Sequence, residues 1–249
     1  MSEISVVTIA KNEGKYIDNF LRNVQWADEI IVVDNGSKDN TKELARHYTS
    51  KIYTYFGKNL GLLKQYAISK ATKKWILLLD VDEHVSIELR KEIKLLLSTK
   101  NKKGVFMIPY RNYFLGHGMK ASYLKYSKTR FFKKDFVFVT SVPIHEEVYS
   151  KFKKGYLKGN ILHYSFRSVG QTLRKFTYYA SVEAPLLFRK GERTNLKKLT
   201  LYPLHMFWSL FIKEKGYRDG IWGFGLAMCF MYYEFAKYIM LLKEQLKNP

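Results

Sequence analysis

The stretch Trp75-Ile-Leu-Leu-Leu-Asp80-Val-Asp82-Glu83 is a short apolar run closed by three acids. A run this short, bounded by charge, predicts a buried strand of a parallel sheet. Asp80 and Asp82 stand two apart, so on an extended chain both carboxylates point the same way. Two like charges aimed together repel unless a cation or a set of donors sits between them. A hard divalent cation carrying a diphosphate meets that need, because such ions bind through one or two carboxylates plus substrate phosphates. The other reading of the same residues is a polar strand end leading into the next helix.

The surrounding pattern says what would hold such acids in place. Ile4–Ala10 is a β-branched run, and Glu13–Val24 carries Tyr16, Ile17, Phe20, Leu21 and Val24 at helical spacing. Glu29–Asn35 reads as a strand ending at an acid. A turn at Gly36-Ser37-Lys38-Asp39 follows, with Ser37 or Asp39 placed to cap a helix to about Tyr48. Ile52–Phe56 predicts a strand, Leu62–Ala71 a helix, Trp75–Asp82 a strand, and Ser86 the cap of a helix through Leu97. Four alternations of strand and helix call for a parallel sheet covered by helices, with ligands bound beyond the carboxyl ends of the strands. Asp34 and the Asp80/Asp82 pair both lie at such ends.

From Gly104 to Phe166 the segments Val105–Phe114, Tyr123–Phe132, Phe136–Ser141 and Gly159–Phe166 are aromatic and β-branched, predicting mixed strands that extend the sheet. The last eighty or so residues read as helices: Ser168 or Gln171 to Arg189, Leu196–Lys213 interrupted at Pro203, and Asp219–Lys247. The chain is thus expected to divide into a sheet domain, 1–166, and a basic, aromatic-rich helical region, 167–249.

The 249 residues carry a net charge of +21, and residues 151–249 alone carry +12. That concentration points to an anionic partner. Nucleic acid is disfavoured, because the chain has no zinc-finger spacing or RNP-like aromatic signature. The charge-free stretch Ile221–Tyr233 is too short to cross a bilayer. It predicts a helix lying on a membrane surface or on a second copy of the chain, against the alternative of a core helix closing the domain. A single cysteine, Cys229, allows no internal disulfide and points to a reducing compartment. The opening residues have no basic segment followed by an apolar stretch, so no signal peptide is expected.

Four segments resemble, in order, the family 2 glycosyltransferases, inverting enzymes of the GT-A fold. They are Val6-Val-Thr8-Ile-Ala-Lys-Asn12-Glu13, Val32-Val-Asp34-Asn-Gly36-Ser37-Lys-Asp39-Asn-Thr41, Asn59-Leu-Gly61 with Lys64-Gln65, and Leu78-Leu-Asp80-Val-Asp82-Glu83. Later pieces are similar to a subgroup that includes bacterial lipopolysaccharide core glucosyltransferases: Arg130-Phe-Phe-Lys-Lys, Ile144-His145-Glu146, Leu162-His163-Tyr-Ser165 and Tyr217-Arg218-Asp219-Gly220.

The resemblance implies an α/β GT-A (Rossmann-like) fold, a mixed, mostly parallel sheet flanked by helices with a C-terminal helical extension. It implies a UDP-sugar donor and Mg²⁺ or Mn²⁺. Asp34 and Thr8 would contact the uracil, with Asn12 and Glu13 in the donor loop. Asp80 would face ribose or metal, Asp82 would bind the metal, and His163 is either a third metal ligand or a structural histidine. Lys64 stands where the family carries arginine and keeps the charge without the bidentate fork; Arg130 is the forked candidate for the diphosphate. Glu146 matches the general base, with Glu147 as its rival. The acceptor would be a saccharide on a lipid carrier, with a capsular or teichoic precursor, polyprenyl phosphate or protein as alternatives. The protein would sit in the cytoplasm against the anionic inner face of the plasma membrane, with the C-terminal helices as its membrane or self-association surface.

Overall fold

The computed structural model describes residues 4–99, 103–121, 124–142 and 146–247. The chain forms two compact units: Met1–Tyr110 with Tyr126–His163, and Arg111–Lys125 with Tyr164–Pro249.

In the first unit, β1 (Ile4–Ala10), β2 (Glu29–Asp34), β3 (Ile52–Thr54) and β4 (Trp75–Leu78) are mutually parallel in the order β3-β2-β1-β4. Every residue of β2 is buried, as a strand covered on both faces requires. Helix α1 (Ile17–Val24) lays Ile17, Phe20, Leu21 and Val24 into the core. Full burial of each is worth about 1.5–3 kcal/mol. The remaining helices of this unit are α2 (Thr41–Arg46), α3 (Leu60–Lys70) and α4 (Ile87–Ser98). Asn59 caps α3 by accepting from Leu62 N–H, and Ser86 caps α4 by accepting from Leu89 N–H.

Short β5 (Glu83–Val85) precedes α4, and the sheet continues through β6 (Val105–Phe114), β7 (His117–Gly118) and β8 (Ser127–Lys133). β8 runs antiparallel to β4, with Leu77 opposite Phe131, and antiparallel to β6. β9 (Phe138–Val139) and β10 (Val148–Tyr149) form a separate hairpin pair, and β11 (Gly155–Tyr156) adds to β6. β12 (Ile161–Phe166) pairs antiparallel with β5, setting His163 opposite Glu83.

Within the second unit, α5 (Val169–Arg189), α6 (Leu196–Trp208) and α7 (Gly220–Lys247) pack together. Ser168, not Gln171, caps α5. Asp219 accepts the N–H groups of Lys120 (2.8 Å) and Ala121 (2.9 Å), tying the segment after β7 to the start of α7.

Three local expectations differ from what forms. β4 ends at Leu78, and Asp80–Asp82 make a turn closed by Glu83 N–H donating to the Asp80 carbonyl at 2.9 Å. The two aspartates therefore do not share a strand face. Helix α1 starts at Ile17, because Gly14 N–H donates to Asp39 and holds residues 12–16 in a loop. Pro203 lies inside α6 without ending it. A proline removes one helical hydrogen bond, and the packing of α6 on α7 holds the helix through it.

Candidate functional site

Because β1, β2 and β4 are parallel, with Ala10 opposite Asp34 and Val7 opposite Leu78, the loops that follow them open on one edge. Asp34 closes β2 and is wholly buried. Its carboxylate accepts N–H groups from Gly36 (3.1 Å) and Ser37 (3.2 Å), a turn that Gly36 permits at φ +74°. Lys42 Nζ lies 3.7 Å from it. Thr8, buried in β1, points its hydroxyl at the Ile9 carbonyl, 3.4 Å away.

Asn12, at φ +55°, donates its N–H to Ser37 Oγ (2.9 Å) and accepts from Lys38 N–H (2.8 Å). Glu13 N–H donates to Thr41 Oγ1 at 2.8 Å. Asn12 and Glu13 thus stitch the loop after β1 to the loop after β2, which fixes the rim around Asp34.

A second group centres on Asp80. Lys64, on α3 and 2% exposed, sets Nζ 2.8 Å from Asp80 Oδ1 and 2.5 Å from Glu146 Oε1. Arg130, on β8, places Nη2 2.9 Å from Asp80 Oδ2 and 2.8 Å from Glu83 Oε1. Its Nε donates to the Tyr110 hydroxyl (2.6 Å), which donates onward to Glu83 Oε1 (2.8 Å). Asp80 N–H donates to Glu83 Oε2 at 3.1 Å. Two buried cations therefore face three carboxylates, each paired, as burial of charge demands.

The pairing sets the protonation states. Burial pushes the Asp80 carboxyl up, but Lys64 and Arg130 outweigh it and hold the group well below the usual carboxylate range. Burial pulls the Lys64 ammonium down, and Asp80 with Glu146 reverses that, so it stays charged. Burial drives the Tyr110 phenol well above its ordinary value, so it remains a donor.

Asp82 turns to a different partner. Its Oδ2 lies 3.6 Å from His163 Nε2, and the Tyr126 hydroxyl is 3.3 Å from His163 Nδ1. Among the described residues no three His, Cys, Asp or Glu side chains converge as a self-sufficient metal site. An oxygen and a nitrogen facing each other do fit a hard divalent ion that retains waters and substrate phosphates. Asp80, by contrast, has both oxygens on Lys64 and Arg130.

Glu146 and Glu147 follow Pro143–His145, which lie outside the described residues together with the Ile144-His145 part of the motif. Glu146 turns inward to Lys64, and among the described residues no group bonds its Oε2. Glu147 N–H donates to Thr140 Oγ1 (2.8 Å), and its side chain is exposed. Glu83 and Tyr110 are members of this cluster that the sequence motifs do not single out. Their partner, Arg130, is 47 residues from Glu83; the available signal was the chemistry of Tyr110, since a buried tyrosine needs a partner for its hydroxyl.

Residues 5–162 match the model of glycosyl transferase family 2. The chain belongs to that family. Among related sequences is the lipopolysaccharide core biosynthesis glycosyltransferase LpsC of Rhizobium meliloti, 24% identical over 241 residues, covering 93% of this chain and 89% of that one. Solved structures with the same fold include S. aureus TarS 1–349 in complex with UDP (TM-score 0.51, 13% identity, 99% of this chain and 92% of that one). Another is the mannosyltransferase PcManGT of Pyrobaculum calidifontis in complex with GDP-Man and Mn²⁺ (TM-score 0.52, 12% identity, 98% and 88%). The family 2 fold accounts for the shared edge on which Asp34, Asp80 and Asp82 lie.

Proposed function

We propose that this family 2 glycosyltransferase moves a hexose from a UDP-sugar, with inversion, to a hydroxyl of a lipid-linked or lipopolysaccharide-core saccharide. The observation that carries this reading is the anchoring of Glu146 to Lys64, and through it to Asp80, in the turn that also bears Asp82. A candidate base, a carboxylate turn and an oxygen–nitrogen pair thereby gather on one edge of one sheet.

In the proposed reaction the Asp34 loop takes the nucleoside and Asp82 with His163 would hold Mg²⁺ or Mn²⁺. The ion would neutralise charge on the departing diphosphate. Glu146 accepts the acceptor hydroxyl's proton as that oxygen attacks the anomeric carbon from the side opposite the diphosphate. The new C–O bond forms, the anomeric carbon–phosphate oxygen bond breaks, and its electron pair leaves on UDP. Lys64 fixes Glu146 Oε1 and leaves Oε2 to the acceptor. Asp80 and Arg130 hold Lys64 and the turn in register.

The lipopolysaccharide assignment draws on LpsC, and the nucleotide and ion on the TarS and PcManGT complexes. A peripheral position on the cytoplasmic membrane face is supported by the basic second unit, which exposes Leu196, Leu204, Trp208, Ile221 and Phe235. Co-sedimentation with anionic vesicles at low salt and release at high salt tests that position.

The central test is thermal stability against UDP-glucose, UDP-galactose, UDP-N-acetylglucosamine and GDP-mannose, with and without Mn²⁺. A ligand at a hundredfold its Kd adds about 2.7 kcal/mol. Glu146→Gln should keep the UDP-sugar shift and lose transfer. No shift with any UDP-sugar defeats the donor assignment, and a dead Glu147→Gln beside an active Glu146→Gln moves the base.

A further inference from the structure

A cavity of about 210 Å³ in the first unit has Glu146 in its wall, with Lys128, Arg130 and Lys154 around it. Its cations are not equivalent. Arg130 is committed to Asp80, Glu83 and Tyr110. Lys128 is not: it lines the same cavity two residues before Arg130, and no described carboxylate lies within ion-pair distance of it. Its ammonium sits over the rings of Tyr110 (5.8 Å) and Tyr126 (5.5 Å), which are themselves stacked at 4.9 Å. An aromatic floor attracts the cation and fixes its position without neutralising it. Lys154 is a second lysine at the cavity with no described ion-pair partner. The acid opposing them is Glu147, since Glu146 is turned to Lys64.

We propose that this cavity is the acceptor subsite and that Lys128, with Lys154 at its rim, receives an oxyanion carried by the acceptor saccharide. The inference rests on the transferase reading, because what identifies the occupant as acceptor is that Glu146, the proposed base, forms part of the wall. A hydroxyl whose proton goes to Glu146 must lie in this cavity, and an anionic substituent on the same or the adjoining sugar then meets Lys128. Ser127 and Thr129, on the same strand, also line the cavity. The oxyanion is a phosphate monoester or a carboxylate; both offer the oxygens that an ammonium on an aromatic floor takes up.

The test is calorimetric titration of the full chain, saturated with UDP and Mn²⁺, with mannose 6-phosphate, galacturonate, mannose and galactose. At least one charged probe should bind about tenfold more tightly than its neutral parent, a difference of about 1.4 kcal/mol. A preference for mannose 6-phosphate alone identifies a phosphorylated acceptor, and one for galacturonate alone identifies a uronic acid. Lys128→Ala, and more fully Lys128→Ala with Lys154→Ala, should erase the preference while UDP affinity stays within about twofold; Lys128→Arg should retain it. Equal binding of charged and neutral probes overturns the proposal, as does a preference that survives in the double variant. A large loss of UDP affinity in Lys128→Ala also overturns it, by giving the lysine to the nucleotide. Failure of the wild-type protein to bind UDP at all is a separate result, and it removes the transferase reading itself.

Discussion

Removing Lys64 tests the central charge arrangement most directly. Its ammonium is almost wholly buried, 2.8 Å from Asp80 and 2.5 Å from Glu146. In Lys64→Met, Asp80 keeps Arg130 but Glu146 loses its cation. Removing one partner of a buried pair costs about 3–5 kcal/mol, because the other charge stays behind uncompensated. Glu146→Gln is milder, since the amide oxygen still accepts from Lys64 and Asp80 still holds the ammonium; about 1 kcal/mol is expected. In the double variant an apolar thioether at position 64 faces a neutral amide, so the stranded charge at position 146 is gone. The double variant should cost about 2 kcal/mol less than the two single costs summed, within the range seen for contacting residues.

Hydrogen exchange is the suitable assay, because it reads the opening of the first of the two compact units residue by residue. The amides of Val6, Val7, Leu77 and Leu78, central in the first unit and fully buried, report its opening free energy. A Lys64→Met cost below about 1 kcal/mol, or single costs that add to within about 0.5 kcal/mol, would refute the bridging role.

Two further outcomes concern Glu29 and Gly61. Burial pushes the Glu29 carboxyl up, but bonds from Lys51, Ser5 and Thr72 prevail and hold it at about 2 instead of 4.5. A folded pKa below the unfolded one stabilises above about pH 4.5 and is lost as pH falls toward 2, so wild type should lose on the order of 2 kcal/mol across that window, discounted because Lys51 is partly exposed. Glu29→Gln should lack that loss in an acid titration; parallel curves would remove Glu29 as its source. Gly61 on α3 donates to the Val142 carbonyl (3.3 Å), and a Cβ there would stand 1.9 Å from the Thr140 carbonyl oxygen. Gly61→Ala should destabilise by about 1–3 kcal/mol and lower kcat by displacing the approach to Glu146; unchanged kcat would mean that the segment before Glu146 does not depend on α3.

The parallel sheet was legible because its signals are local: apolar runs closed by Asp34 and Asp80, and a helix cap at Ser86. The carboxyl-edge position of the acids followed from strand order alone. What could not be read was which way each acid faces. The period-two argument put Asp80 and Asp82 together, but it holds only on extended chain, and the strand stops at Leu78. Beyond that point direction is set by partners distant in sequence: Lys64 and Arg130 draw Asp80, and His163, brought opposite Glu83 by β12, faces Asp82. Lys64 and Arg130 read as diphosphate contacts because a basic residue in a nucleotide-site motif suggests a phosphate. Their engagement by buried acids depends on α3 packing on β1 and β2 while β8 pairs alongside β4, which no single segment encodes.

That engagement bears on why the proposed reaction would need a divalent ion. Lys64 and Arg130 are matched by Asp80, Glu83 and Glu146, so the group carries one more negative than positive charge before Asp82 is counted. A nucleoside diphosphate approaching this turn meets repulsion, because the two cations nearest it are already neutralised. Replacing them as phosphate ligands would strand buried carboxylates, at a cost comparable to breaking a buried pair, about 3–5 kcal/mol. A divalent ion arriving with the diphosphate avoids that cost, since it supplies two positive charges and needs only the Asp82–His163 side. On this argument chelation should weaken UDP binding far more than Lys64→Gln does. If isothermal titration instead finds UDP held equally well in EDTA, the lysine and arginine must leave their carboxylates for the nucleotide, and the charge accounting of the site is wrong.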